Sequence, residues 1–304
     1  MPNLVPVSRE TSRTVISEHP LAMLKERLLG LVEDEECTSR LSQIDTKNLN
    51  EFGYDPFGYN PEVLRHVMPT LKWLHRYYFR TQVFGIENVP ATGRCLFIAN
   101  HSGQLPVDGL VIGSSIFFDT EKPRVVRAMT ERFVPRLPWL STFFARCGQI
   151  LGAPDNCERM LESDEAVLVF PEGARGISKP PTQAYKLTEF GNGFLRLAIR
   201  TGTPIVPIAV IGGEEQYIRI ANIKPLARLM NLPSAPLFLF GPALVPGGLL
   251  PLPVRYRLHF GAPMVFEGDP DEDDLAMGTK VKAVKSTIQN MLQRGLAERK
   301  NVFW

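Results

Sequence analysis

The sequence predicts an α/β domain: a mixed, largely parallel sheet flanked by helices, with an N-terminal helical segment ahead of it. Three observations carry this. Short, continuously apolar runs at residues 96–99, 166–170 and 204–211 read as buried strands. Stretches with apolar residues at helical spacing lie between such runs. The two kinds of segment mostly alternate along the chain, as they do where crossover helices join strands of one sheet.

Residues 1–58 form an accessory segment, with a helix expected over 21–32, a polar stretch over 33–47 and a turn-like run over 53–59. Asn60 and Pro61 then open a helix, Asn as N-cap and Pro at the first helical position. Residues 59–80 form an amphipathic segment. Leu64, Val67, Met68, Leu71, Leu74 and Tyr78 follow helical spacing, while Arg65, Lys72, Arg76 and Arg80 lie largely off that stripe. Pro69 predicts a kink. Two readings fit: a helix packed on the domain with a solvated basic face, or one lying on an anionic membrane.

The main domain is expected over 81–304. Strands are expected at 81–86, 94–99, 124–128, 147–151, 166–170, 204–211 and 254–260. Helices are expected at 109–118, 133–147, 156–163, 187–201 and 272–299, with Gly202 closing the fourth. Residues 234–254 carry no charge, which by length alone would suit a membrane span. Pro236, Pro242, Pro246, Pro251 and Pro253 argue against a helix there, since each interior proline costs about 3 kcal/mol. The stretch reads as strand, loop and return strand, the loop either covered by the protein or touching a bilayer or acyl chain.

Composition narrows the class. The 304 residues are 44% hydrophobic, enough for one large domain or one domain with an accessory segment. A net charge of +2 gives no argument for nucleic acid. Cys37, Cys95, Cys147 and Cys157 show no metal-type spacing, which fits a reduced, intracellular setting and no metal site. Residues 1–19 are polar and of mixed charge, unlike a signal peptide.

Of the five histidines, His101 directly follows an expected strand and precedes a polar, glycine-containing loop. An imidazole there can act as general base on an alcohol, given a carboxylate to fix its tautomer. Asp108 is the nearest carboxylate downstream, and also a candidate N-cap for the helix at 109–118. A second cluster follows the strand ending at Phe170: Pro171, Glu172, Gly173, Ala174, Arg175 and Gly176. Gly173 permits close backbone approach, Arg175 suits a phosphate or carboxylate, and Glu172 can orient either Arg175 or a substrate hydroxyl. A structural salt bridge at a turn is the plainer reading of this cluster. Lys179 and Arg127 are further candidate substrate-binding cations, with Lys186 and Arg132 near them. Backbone amides near Gly103 or Gly173 are candidates to stabilise an oxyanion. There is no Gly-x-Ser-x-Gly elbow, so a nucleophilic serine of the α/β-hydrolase kind is not supported.

These residues resemble the glycerolipid acyltransferase superfamily that contains the 1-acylglycerol-3-phosphate acyltransferases. The likeness spans roughly 81–262. It rests on the run from Gly85 to Pro90, then Asn100-His101, then Phe170-Pro171-Glu172-Gly173-x-Arg175, then the block from Thr203 to Ile208. The stretch from Gly152 to Asn156 is similar to the monoacylglycerol and diacylglycerol acyltransferase-like branch. The family has four residues between its histidine and aspartate; six stand between His101 and Asp108, and Pro106 occupies the usual aspartate position. Ala174 stands where a threonine or serine is common.

The resemblance implies an O-acyltransferase that moves a fatty acyl group from an acyl thioester to a hydroxyl of a lysophospholipid or other glycerolipid. His101 would be the base, Asp108 its partner, and Glu172, Gly173 and Arg175 the acceptor-binding motif. Acyl-CoA or acyl carrier protein would be the donor substrate, with no cofactor and no metal. It also implies phospholipid or glycerolipid metabolism, a cytoplasmic place and peripheral contact with the cytoplasmic face of a membrane. Two other classes fit the same fold: a lipid-binding protein without transfer activity, and a thioesterase or lipase.

Overall fold

A computed structural model describes residues 34–45, 48–102, 107–131, 134, 139–173, 176, 179, 181–217, 219–222, 236–238 and 251–303. Its centre is a seven-stranded sheet in the order β1-β9-β6-β2-β5-β3-β4. The strands are β1 (Gln82–Phe84), β2 (Cys95–Ala99), β3 (Val126–Thr130), β4 (Ile150–Leu151), β5 (Ala166–Val169), β6 (Ile205–Ile211) and β9 (Arg257–Phe260). From β6 to β4 every neighbour is parallel; β9 runs antiparallel to β6, and β1 runs parallel to β9. The expected mixed, largely parallel sheet is therefore the observed one. A separate antiparallel pair joins β7 (Arg219–Asn222) to β8 (Pro236–Phe238).

Every residue of β2 and β6 is buried, because helices cover both faces. Pleating sends alternate residues to opposite sides. Leu96, Ile98, Val167, Ile205, Ala209 and Ile211 pack toward α5 (Pro154–Glu162), α6 (Gly193–Thr201) and α7 (Asp274–Glu298). Cys95, Phe97, Ala99, Leu168, Val206 and Ile208 pack toward α3 (Val107–Phe118). Each large apolar side chain buried this way contributes about 1.5–3 kcal/mol.

The preceding segment supplies α1 (Glu35–Leu41) and α2 (Pro61–Trp73). The Asn60 side chain caps α2 by accepting from the amides of Glu62 and Val63. The helix runs through Pro69 without ending; the irregularity comes later, as a π-helical turn over Leu74–Tyr78. Leu64 and Met68 are buried with Phe117 and Phe118 of α3. Lys72 pairs with Asp34 at 2.7 Å and Glu36 at 2.8 Å, and Arg76 with Glu36 at 2.7 Å. The helix packs on the domain; Lys72 and Arg76 face acidic partners at the start of α1, while Arg65 pairs with Glu62 of the helix itself at 3.6 Å.

Several boundaries differ from expectation for identifiable reasons. The helix expected over 187–201 starts only at Gly193. The preceding amides bond elsewhere: Leu187 to Gln289, Thr188 to Glu172 and Gly191 to the Pro171 carbonyl. The helix expected over 133–147 is described as α4 (Leu140–Arg146). The helix expected at 21–32 and the loop over 239–250 fall outside the described residues. Among the described residues, no helix is long and apolar enough to cross a membrane.

Candidate active site

The C-terminal ends of β2 and β5 lie side by side, since Ile98 registers with Val169. His101 and Glu172, which follow these strands, are thereby brought to one edge. Asn100 fixes the exit of β2. Its side chain donates to the Val210 carbonyl at 3.0 Å and accepts from the Val210 amide at 2.7 Å, so it continues the ladder to β6 as a peptide group would. The next residue, His101, has its direction set by that anchor.

His101 Nδ1 lies 2.6 Å from Asp108 Oδ2. The six intervening residues do not keep the pair apart. Asp108 sits in the first turn of α3 rather than capping it, and its carboxylate is fully buried. It also accepts from the amide of Ser102 at 3.0 Å and from its neighbour Gly109 at 2.9 Å. These two amides fix the carboxylate on the imidazole side. The Phe170 ring stacks on the imidazole, 4.3 Å between centroids, which fixes the ring plane.

Glu172 joins the two strand ends. Its Oε1 accepts from the His101 amide at 3.1 Å. Its Oε2 accepts from the Thr188 amide at 2.8 Å, the Thr188 hydroxyl at 2.9 Å and Lys179 Nζ at 3.3 Å. A carboxylate so engaged holds the histidine loop against the segment that precedes α6. Gly176 lets this packing happen: a Cβ there would lie 2.9 Å from Glu172 Cβ and 3.1 Å from His101 Cβ. Gly173 has φ +53° and lies under Glu131, whose Oε1 would stand 3.4 Å from a Cβ at that position.

Burial is the largest influence on the His101 imidazole and pushes its pKa down. The charge of Asp108, the hydrogen bond to it, and the charges of Glu172 and Glu131 together outweigh burial, so the pKa stands above the ordinary 6.5. Nearby, burial raises the Glu214 carboxyl against the opposing pull of Lys179.

The sequence-expected residues separate clearly. His101, Asp108, Glu172, Gly173 and Lys179 come together. Lys179 is buried and faces Glu172 and Glu214, at 3.3 and 3.5 Å, and also donates to the Lys186 carbonyl. Arg127 does not join them. It registers with Val167, which registers with Leu96, five residues before His101. At about 3.3 Å per residue that is roughly 16 Å along the strand. Its guanidinium bonds Asp55 at 2.5 Å and lies over the Tyr59 ring. The Gly173 amide, a candidate oxyanion donor, bonds the Phe170 carbonyl at 3.0 Å instead. Arg175 and Gly103 fall outside the described residues. Glu131, Thr188 and Glu214 were not singled out in the sequence; none lies in the two motifs, and only three-dimensional packing brings them in.

Residues 80–211 match the Acyltransferase family model, from the entry of β1 to the end of β6. An uncharacterized protein of Mycobacterium tuberculosis is 34% identical over 298 residues, covering 97% of this chain and 80% of that one. The chain belongs to the glycerolipid acyltransferase superfamily. It is an acyltransferase, acting between an acyl donor and a glycerolipid acceptor. Within the superfamily, it is also similar to a Bos taurus protein named DGAT1/2-independent enzyme synthesizing storage lipids, 27% identical over 68% of this chain and 58% of that one. Among solved structures, the 1-acyl-sn-glycerophosphate acyltransferase PlsC of Thermotoga maritima aligns with a TM-score of 0.49 and 15% identity, over 78% of this chain and 84% of that one. The acyltransferase match contains His101, Asp108, Glu172 and Lys179, so the strand-edge cluster lies within the family's own segment.

Proposed function

We propose that this acyltransferase moves a fatty acyl group from an acyl thioester, acyl-CoA or acyl carrier protein, to a hydroxyl of a glycerolipid such as a lysophospholipid. The observation that carries the reading is the 2.6 Å contact between His101 Nδ1 and the buried Asp108 carboxylate. With Nδ1 held by Asp108, Nε2 is the nitrogen that takes the proton of the acceptor hydroxyl. The alkoxide oxygen attacks the thioester carbonyl, and the C–S bond breaks as the tetrahedral adduct collapses. The imidazolium returns its proton to the departing thiolate. Asp108 stabilises the imidazolium between these steps. Glu172 and Lys179 hold the loops that shape the acceptor site, and Arg175, from the same motif, orients the acceptor. Because the glycerolipid acceptor and its acylated product are bilayer lipids, this reading has the protein work in peripheral contact with the cytoplasmic face of a membrane.

Thiol release by the purified protein tests the mechanism. It is expected only when both acyl-CoA and a glycerolipid acceptor are present, and to vanish in His101→Ala. Steady release without acceptor would identify a thioesterase. Lipid binding with no release under any condition would identify a carrier. Acyl transfer by His101→Ala at the wild-type rate would remove His101 from the chemistry.

A further inference from the structure

The loop that leaves β6 begins where the family match ends, at residue 211, and it reaches both halves of the strand-edge site. Gly213 meets the His101 half. Its backbone angle does not call for glycine, unlike that of Gly212 with φ +114°. Space does: a Cβ on Gly213 would overlap Ser102 Oγ and lie 3.2 Å from Ser102 Cβ. Ser102 is fully buried, and its amide donates to Asp108 Oδ2, the oxygen that holds His101 Nδ1. The far wall of this seat is also fixed. The Tyr256 hydroxyl, 3.5 Å from the same Cβ position, donates to Gln216 Oε1 at 2.7 Å, and both residues are fully buried. The Gln216 carbonyl accepts from the Leu252 amide at 2.8 Å, which ties the loop to the segment entering β9. Glu214, next to Gly213, meets the Glu172 half. It lies 3.5 Å from Lys179 Nζ, and Lys179 meets the Glu172 carboxylate that holds the His101 amide. One loop thus braces the histidine from two sides, through Ser102 and Asp108 and through Lys179 and Glu172.

We propose that the loop leaving β6 is a third element of the active site, and that Gly213 is a positioning residue whose missing side chain seats Ser102 and so keeps Asp108 on the imidazole. The inference rests on the acyl-transfer reading of the same site and adds a residue that neither motif contains. Gly213 acts through Ser102: any side chain on it must push the serine, and with the serine goes the amide that holds the carboxylate.

The test is acyl transfer by the full-length protein from one acyl-CoA, with monoacylglycerol and lysophosphatidate each offered as acceptor in mixed micelles. In Gly213→Ala, kcat per folded molecule should fall about 10–100-fold, the scale of a small misplacement of a catalytic group. The charges that act most on His101 are those of Asp108 on α3, Glu172 after β5 and Glu131 after β3. The substitution removes none of them. An acid limb of kcat/KM that moves to lower pH therefore reports Asp108 drawn away from the imidazole. Ser102→Ala removes the overlapping hydroxyl, so the double variant Ser102→Ala with Gly213→Ala should return kcat and the limb to their values in Ser102→Ala alone. Where Gly213→Ala does not fold, Ser102→Cys presses on the same contact from the other side by a smaller step and should move both in the same direction. An unmoved limb in a folded variant of either kind overturns the role of Gly213. So does a loss in Gly213→Ala that Ser102→Ala fails to relieve. A wild type that transfers to neither acceptor refutes the acyl-transfer reading itself, a distinct failure.

Discussion

Two groups of buried charges sit on the same parallel strands, one toward each end, and they behave differently. Toward the N-terminal end, the Arg127 guanidinium bonds Asp55 and lies over Tyr59. Nearby Glu165 is raised by burial, with the Arg127 charge offsetting only part of that. Toward the C-terminal end, Asp108, Glu172 and Glu131 all raise the pKa of one imidazole. The first group approaches charge balance around a cation that cannot lose its proton. The second concentrates negative charge on the one side chain that titrates near neutral pH. A balanced buried pair holds structure, whereas an unbalanced set around a histidine stores the capacity to take a proton.

The largest effect that would break this contrast is on rate. His101→Ala should lower kcat by about 10²–10⁴-fold, with little change in urea unfolding. Asp108→Asn should lower kcat within the same range, because the amide cannot stabilise the imidazolium. A rate loss in either variant that merely follows a loss of folded protein would place these residues with Arg127, as structure.

Arg127→Met should show the reverse. Leaving Asp55 buried without its partner should cost about 3–5 kcal/mol in unfolding free energy. The molecules that remain folded should keep kcat/KM near wild type for every acceptor. Pairing it with Asp55→Asn, which removes the charge but keeps the Oδ1 acceptor for the Phe57 and Tyr59 amides, should recover part of the stability. A selective rise in KM for the acceptor in Arg127→Met would return this arginine to the site.

The sheet was legible in the sequence because its strands are buried on both faces and read as unbroken apolar runs, such as Ile205–Ile211. His101 and Glu172 were legible because each directly follows such a run. Arg127 was misplaced for the complementary reason: an arginine within a short strand looks like a free cation until Asp55, 72 residues earlier, folds against it. Thr188 and Glu214 carried no local signal, and neither did the late start of α6, which depends on amides captured by Glu172 and Gln289. The His101–Asp108 spacing shows the limit from the other side. Two extra residues look disruptive in a linear pattern, yet the first turn of α3 still brings the carboxylate to Nδ1.

The finest test of the comparison is pH. A general base works deprotonated, so kcat/KM should rise with pH through the pKa of His101 and level off above it. Asp108, Glu172 and Glu131 lift that pKa above 6.5, so the midpoint of the acid limb belongs above 6.5. Asp108→Asn removes both the charge and the charged hydrogen bond that raise it, leaving burial the dominant influence. The acid limb of this variant should therefore move to lower pH, even as the plateau falls. Glu172→Gln and Glu131→Gln should each move it in the same direction by less, since each removes one more distant charge. The balanced pair predicts no such movement: Arg127→Met should leave the limb where it is. A limb that shifts in Arg127→Met but not in Asp108→Asn would mean that the titrating group lies at the other end of the sheet.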